Sequence, residues 1–350
     1  MMNKLQKELL KGIEKKLISE KKHPTEDLWI YNYTPKCQFD KLWDKYTMMC
    51  RGLILNKEGE IVARPFKKFF NFGEIEGKLP KGDFKVYDKL DGSLGILYWI
   101  GEEMHIATRG SFESEQAITG TAILRTYERK GEIHLDKSKT YLFEILYPEN
   151  RIVVNYGDKQ ELILLAVIDT RTGEEEDPHE YNYNEVFPVV EEFKGFKYVN
   201  ELEKEKKDNA EGYVIKWPNN FRMKIKFDEY VRLHRLITGV NERRIWDMMR
   251  NEQSLDELLQ RVPDEFYAWV RSIKYKFKKR FANLRDKSRE IKRGALKLND
   301  RKEQADYVFN QKDGHMLSGI VFAMIDGKDW KNRIWKILRP EATKPFKIEI

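Results

Sequence analysis

Lys89-Leu90-Asp91-Gly92-Ser93 sets a lysine and a carboxylate two residues apart, where the run Phe84 to Asp88 meets a turn ahead of Leu94 to Ile100. In an extended chain alternate side chains share a face, so Lys89 and Asp91 point together and Leu90 points away. A lysine beside a carboxylate at a strand end is a candidate nucleophile. A solvated hairpin tip carries the same string, and Asp91-Gly92 is a strong turn signal in either case. Glu144 lies in Tyr141 to Tyr147 on the face opposite Phe143 and Ile145, where a buried carboxylate needs a cation, a metal or solvent. Glu211-Gly212 opens the run that ends at Trp217. Lys224 and Lys226 share one face of Phe221 to Phe227 and are spaced to converge on one phosphate, although a wet strand face alternates in the same way.

The elements that must position these groups follow from periodicity. Met1 to Lys22 predicts an amphipathic helix. Strands are expected at Trp29 to Tyr33, at Cys50 to Asn56 with Ile61 to Arg64 as hairpin partner, and at three runs between Phe84 and Arg109. A helix over Glu113 to Arg129 precedes strands at Tyr141 to Tyr147, Arg151 to Tyr156 and Glu161 to Asp169, the last apolar enough to be central. Val199 to Lys207 predicts a charged helix, and Pro218-Asn219-Asn220 a hairpin turn. Lys67-Lys68-Phe69-Phe70-Asn71-Phe72 sets cations beside aromatics, as a phosphate site or a half-buried edge strand would. Beyond Asp228 strands give way to helical spacing, with the stripe Phe266, Trp269, Val270, Ile273, Phe277, Phe281 and Leu284 read as core. The expected fold class is α+β: a mixed, mainly antiparallel sheet domain over residues 1–240 and an all-α domain over 241–350.

Composition narrows the function classes. Charged residues are 35% of the chain, above the usual ~25%. Residues 241–350 carry 26 Lys and Arg against 17 Asp and Glu, a balance of +9, so the rest of the chain is at −2. A basic module beside a near-neutral one suits a polyanion, and a solvated helical surface has the same balance. Cys37 and Cys50 give neither a disulfide framework nor a zinc motif, so a reduced cytoplasmic protein is expected. No apolar run approaches the ~20 residues that span a bilayer, so no membrane partner is expected. There is no Walker motif and no Ser/His/Asp arrangement. His234 reads as a surface residue near phosphate.

Taken in order, Lys89 with Asp91, Glu144, Glu211-Gly212 and Lys224-x-Lys226 resemble the nucleotidyl-transfer motifs of the covalent nucleotidyltransferase superfamily. The closer resemblance is to the bacteriophage RNA ligase 1 family. It is carried by Ile30-Tyr31-Asn32-Tyr33, Cys50-Arg51-Gly52, Lys68-Phe69-Phe70-Asn71, Lys89 to Ser93, Gly110-Ser111 with Ser114 to Ala117, and Phe143-Glu144 with Asn150 to Val153. Glu211-Gly212-Tyr213 and Lys224-Ile225-Lys226 followed by Tyr230-Val231 complete it. It covers roughly residues 30 to 235. One departure is Arg109, where the family has a lysine; arginine keeps the charge but binds phosphate as a planar fork.

The resemblance implies an adenylation domain followed by an RNA-substrate domain, and an ATP-dependent RNA ligase. Lys89 would attack the ATP α-phosphate to give lysyl-AMP, AMP would pass to an RNA 5′-phosphate, and a 3′-hydroxyl would displace it. Lys224 and Lys226 would bind the α-phosphate and, with a metal ion, repel the proton from Lys89, because a protonated amine is no nucleophile. Tyr31 would line the nucleotide site, and Arg51 and Lys68 would hold the outer phosphates. Asp91 would orient Lys89 or the leaving group, and Arg109 would contact RNA or phosphate. Glu144 and Glu211 would ligate Mg2+, with Mn2+ as a substitute, and Glu144 has the ribose hydroxyls as its other reading. Asp256 is a peripheral metal candidate or a helix-start carboxylate. The implied partner is RNA with 5′-phosphate and 3′-hydroxyl ends, including nicked transfer RNA, and the implied enzyme is a monomer, in the host cytoplasm for a viral source. The rivals are a DNA ligase or GTP-using capping enzyme, and a non-catalytic RNA-binding module of the same fold.

Overall fold

The computed structural model describes residues 2–75, 79–131, 133–179, 186–238, 241–255, 258 and 265–340. The chain divides into two compact units, Met1–Ile237 and Thr238–Ile350.

Among the described residues, three sheets build the first unit. β1 (Ile18–Lys22), β2 (Leu28–Tyr33), β3 (Arg51–Asn56) and β4 (Ile61–Ala63) form an antiparallel sheet in chain order. The middle sheet runs β11-β10-β9-β7-β8, from β7 (Ser93–Ile100), β8 (Glu103–Ala107), β9 (Lys139–Leu146), β10 (Glu161–Asp169) and β11 (Glu175–Glu176). The third runs β12-β6-β13-β14-β5, from β5 (Phe70–Asn71), β6 (Lys85–Asp88), β12 (Glu192–Phe193), β13 (Gly212–Lys216) and β14 (Arg222–Lys226), with only β14 and β5 parallel.

The middle sheet is apolar on both faces because both are covered. One face packs Ile106, Phe143, Ile145 and Leu164 with Ile123 and Leu124 of the helix Glu115–Lys130. The other packs Ile96, Leu142 and Ala166 against Ile30 and Ile54 of the first sheet. This double burial explains the almost unbroken apolar run of β10, which β9 and β11 flank. The third sheet buries the alternate set Tyr213, Ile215, Met223 and Ile225, which leaves Arg222, Lys224 and Lys226 on its opposite, half-buried face.

Four sequence expectations change. The N-terminal helix covers Lys4–Glu14, capped by Asn3, and ends where Lys16 turns to φ 59°; Ile18–Lys22 instead forms an edge strand whose only buried residue is Ile18. β6 and β7 lie in different sheets, so Lys89 to Gly92 is a crossing between sheets and not a hairpin tip. Arg151 to Tyr156 makes no strand, because the amides of Val153 and Val154 both donate to the Asp91 carboxylate. The Val199 helix stops at Leu202, its one buried residue.

In the second unit the described helices are Glu242–Arg250, Glu265–Ala295, Arg301–Phe309, Gly314–Ile325 and Lys331–Ile337. Val270, Ile273, Phe277 and Ile291 are buried along the long helix, and Phe281 meets Trp335 at 5.2 Å between ring centroids. Lys292 Nζ donates to the Met324 carbonyl at the end of the neighbouring helix, 2.8 Å away, where a cation suits the helix dipole. Among the described residues no helix is long and apolar enough to cross a membrane.

Candidate active site

The crossing from β6 to β7 is held from both sides. The Lys89 amide donates to the Gly212 carbonyl at 3.0 Å, and the Gly92 amide donates to Glu144 Oε1 at 2.9 Å. Gly212 itself has φ +153°, and a Cβ there would sit 1.9 Å from the Ile225 carbonyl oxygen, so only glycine lets Glu211 enter the strand at this point.

Asp91 ties the crossing to the rest of the unit. It is 3% exposed. Its Oδ2 accepts the amides of Val153 (2.8 Å) and Val154 (2.9 Å), its Oδ1 accepts the Tyr230 hydroxyl (2.6 Å), and its own amide donates to Tyr156 Oη (2.8 Å). These bonds make Asp91 a fastening of the turn to the 150s loop and to the helix Asp228–Thr238.

Around Lys89 the charges interlock. Glu211, 4% exposed, takes Lys89 Nζ on Oε2 at 2.6 Å and Lys226 Nζ on Oε1 at 2.9 Å. The mutual repulsion expected among the lysines is therefore offset by a carboxylate standing between two of them. Burial works against the Glu211 anion, but Lys226 and Lys89 outweigh it and hold the carboxyl down at about 2. Glu144 goes the other way: burial, reinforced by the Glu211 charge, pushes it up to about 7 against the pull of Lys89 and Arg51. The site thus holds one firmly ionised carboxylate and one poised near neutrality.

A pH prediction follows from Glu144. The unfolded chain ionises this carboxyl near 4.5 and the folded chain near 7, so folded protein keeps the proton longer and loses stability as pH rises between those values. Glu144→Gln is expected to stabilise the fold at pH 8 relative to pH 5, by on the order of 3 kcal/mol at most. Urea unfolding of both proteins at the two pH values checks this.

A second group of cations adjoins the first. Lys68, 5% exposed, lies with Nζ 5.8, 5.7 and 5.4 Å from the ring centroids of Tyr33, Trp43 and Phe70. Arg109 stacks over Tyr33 at 5.5 Å, and its Nη1 donates to the Tyr33 hydroxyl at 3.3 Å. Arg51 stands 5.5 Å over Phe69, and Gly52 (φ +103°) lets the Arg109 backbone pass close by. The two groups meet through the pull of Arg51 on Glu144 and the pairing of Asn71 with Lys224.

Tyr31 packs on the apolar cluster of Leu9, Ile18 and Leu53, and burial and the Glu20 carboxylate raise its hydroxyl pKa; the ring that Lys68 and Arg109 share is Tyr33. His234 is half-buried against Tyr230 rather than on the surface, with its pKa lowered by burial and by Lys226. Asp256 lies outside the described residues. Sequence reasoning passed over Tyr33, Trp43 and Tyr156. Tyr33 was visible as the neighbour-but-one of Tyr31 on β2, whereas nothing local marks Trp43 or Tyr156.

Comparison with known proteins bears on this geometry. A family model described as RNA ligase matches residues 49–230. An RNA ligase of Rhodothermus phage RM378 is 28% identical over 316 residues, covering 68% of this chain and 70% of that protein. RNA ligase 1 of bacteriophage TS2126 is 30% identical over 128 residues, 31% of each chain. A protein of Autographa californica nuclear polyhedrosis virus is 30% identical over 246 residues, and the match spans about a third of its length, 34%, and 61% of this chain. Among solved structures, Naegleria gruberi RNA ligase with PPi is 16% identical, with a TM-score of 0.36, over 42% of this chain and 50% of that one. The matched stretch, more than half of the 350 residues, contains Lys89, Asp91, Glu144, Glu211, Lys224 and Lys226, and the chain belongs to the RNA ligase family.

Proposed function

We propose that this protein is an ATP-dependent RNA ligase that joins RNA 5′-phosphate and 3′-hydroxyl ends through lysyl-AMP, acting as a monomer in the cytoplasm on broken RNA such as nicked transfer RNA. The observation that carries the reading is the bridge from Lys89 through Glu211 to Lys226. It sets the candidate nucleophile beside a phosphate-binding cation on a half-buried floor.

Lys89 Nζ attacks the α-phosphorus; the P–N bond forms as the bond to the pyrophosphate oxygen breaks. The attacking nitrogen must be neutral, so the ion pair with Glu211 gives way and Lys89 releases one proton to solvent before attack and a second once the P–N bond has formed. Lys224 and Lys226 offset the charge that builds on the α-phosphate oxygens. Arg51 and Lys68 hold the β and γ phosphates and Arg109 contacts RNA or phosphate, with aromatic rings keeping the cations in place. Asp91 positions Lys89 by fastening its turn.

The donor set fits a hard divalent cation: Glu144 and Glu211 are oxygen ligands whose charges repel one another, which a bound Mg2+ or Mn2+ would relieve. When bound, the ion supplies charge neutralisation at the phosphates.

Incubation with labelled ATP, then with labelled GTP, tests the nucleotide. Label is expected on the protein from ATP; label from GTP alone would favour a capping enzyme. The basic second unit binds the RNA in this reading. Removing residues 241–350 is expected to spare self-adenylation and to lower sealing of the natural RNA by tenfold or more, on the order of the loss of one or two phosphate contacts. Unchanged sealing of every RNA tested would take the substrate role away from that unit.

A further inference from the structure

At the start of β6, away from Glu144 and Glu211 along the strand, a second set of ligand-type side chains converges. Asp177, His179 and Glu192 each bring one donor atom into a group within 4.8 Å of one another. Three separate features hold them there. Glu192 is fixed by the pairing of β12 with β6, opposite Tyr87. The His179 ring stacks flat on Tyr87, 6.2 Å between centroids at 6°, and its amide donates to Asp177 Oδ1 at 3.0 Å. The carboxylates of Asp177 and Glu192 are mostly buried, at 10% and 19% exposure.

A cation already lies among them. Lys85 Nζ pairs with Asp177 and reaches Glu192 at 3.8 Å. Lys216, on the strand beside Lys85, also acts on Asp177. Lys85, 45% exposed on its side chain, is the group that a metal ion would have to displace.

We propose that Asp177, His179 and Glu192 form a second divalent-cation site, for a nitrogen-accepting ion such as Zn2+ or Co2+, in which Lys85 is a tethered competitor. One imidazole and two carboxylates leave an open coordination position, as three-ligand sites do. Metal–ligand bonds of ~2.0–2.2 Å in tetrahedral geometry put donors about 3.3–3.6 Å apart, so closure on an ion draws in side chains now up to 4.8 Å apart by about an ångström. The site goes beyond ligation itself. It would pin β12 to the segment that carries Asp177 and His179, beside the strand that leads to Lys89.

The two kinds of site separate by ligand type. The full chain is titrated with Co2+ and followed by its visible d–d absorption, which an imidazole-containing site of low coordination number intensifies and an all-oxygen octahedral site does not. A saturable band is expected, lost in His179→Ala and in Glu192→Gln. In Lys85→Ala the dissociation constant should fall about fivefold, the worth of one ion pair at the protein surface. Thermal melting of each variant without metal confirms that the fold is kept. A band unchanged in His179→Ala, no tightening in Lys85→Ala, or no band at all would overturn the proposal.

Discussion

Lys89→Ala protein incubated with labelled ATP and a divalent metal is expected to carry no covalent label, while its unfolding midpoint stays close to that of the parent. The chemical half of this expectation follows from the side chain, since alanine has no nucleophile. The structural half rests on what remains. Glu211 keeps Lys226 at 2.9 Å, so its carboxylate is still paired after the substitution, and the turn keeps the Asp91 bonds to Val153, Val154 and Tyr230. The same variant should still seal an RNA that already bears AMP on its 5′ end, because that last step displaces AMP from RNA and forms no bond to lysine. A mutant that retained covalent AMP would end the assignment of Lys89.

Glu211→Gln should fail in both respects. The amide leaves Lys226, 9% exposed, and Lys89, 19% exposed, without the anion between them. Breaking a buried pair costs on the order of 3–5 kcal/mol, since the remaining charges stay desolvated. Self-adenylation should fall by a factor on the order of 100–1000, the usual cost of losing one well-placed electrostatic group. The stability loss has a pH signature. With its carboxyl held down at about 2, Glu211 stabilises the fold above the ordinary carboxylate range, near 4.5, and that contribution disappears as pH falls toward 2. The gap between parent and variant should therefore be full at neutral pH and shrink through that acid window, measured by chemical unfolding. Equal stability at neutral pH would mean that the bridge is not a net contribution.

Local pattern carried most of the longer strands and the helical character of the second unit, and it placed the reacting residues at strands or strand ends. β13 and β14 show why: alternation of Met223 and Ile225 with Lys224 and Lys226 marks one buried face and one open face whatever the partner strand is. What pattern could not supply was partnership between sheets. The apolar runs on either side of Lys89 look like a hairpin, yet they join different sheets, because β6 pairs with β13 more than a hundred residues later. Arg151 to Tyr156 has strand composition, but its amides are taken by a side chain 62 residues away. The same long range hides the fastening role of Asp91, which depends on Tyr156 and Tyr230, and the shared ring of Tyr33 between Lys68 and Arg109. Motif spacing located the charged groups; only the fold says which of them touch.

The central claim, RNA end joining through an adenylated lysine, is tested most directly on one gel. The protein is incubated with ATP, Mg2+ and a 5′-phosphorylated single-stranded RNA ending in a 3′-hydroxyl. The account predicts a circular product resistant to phosphatase, with an adenylated linear RNA preceding it, both requiring ATP and both absent with Lys89→Ala. Linear RNA left unchanged, with neither adenylate nor circle at any time point, would contradict it.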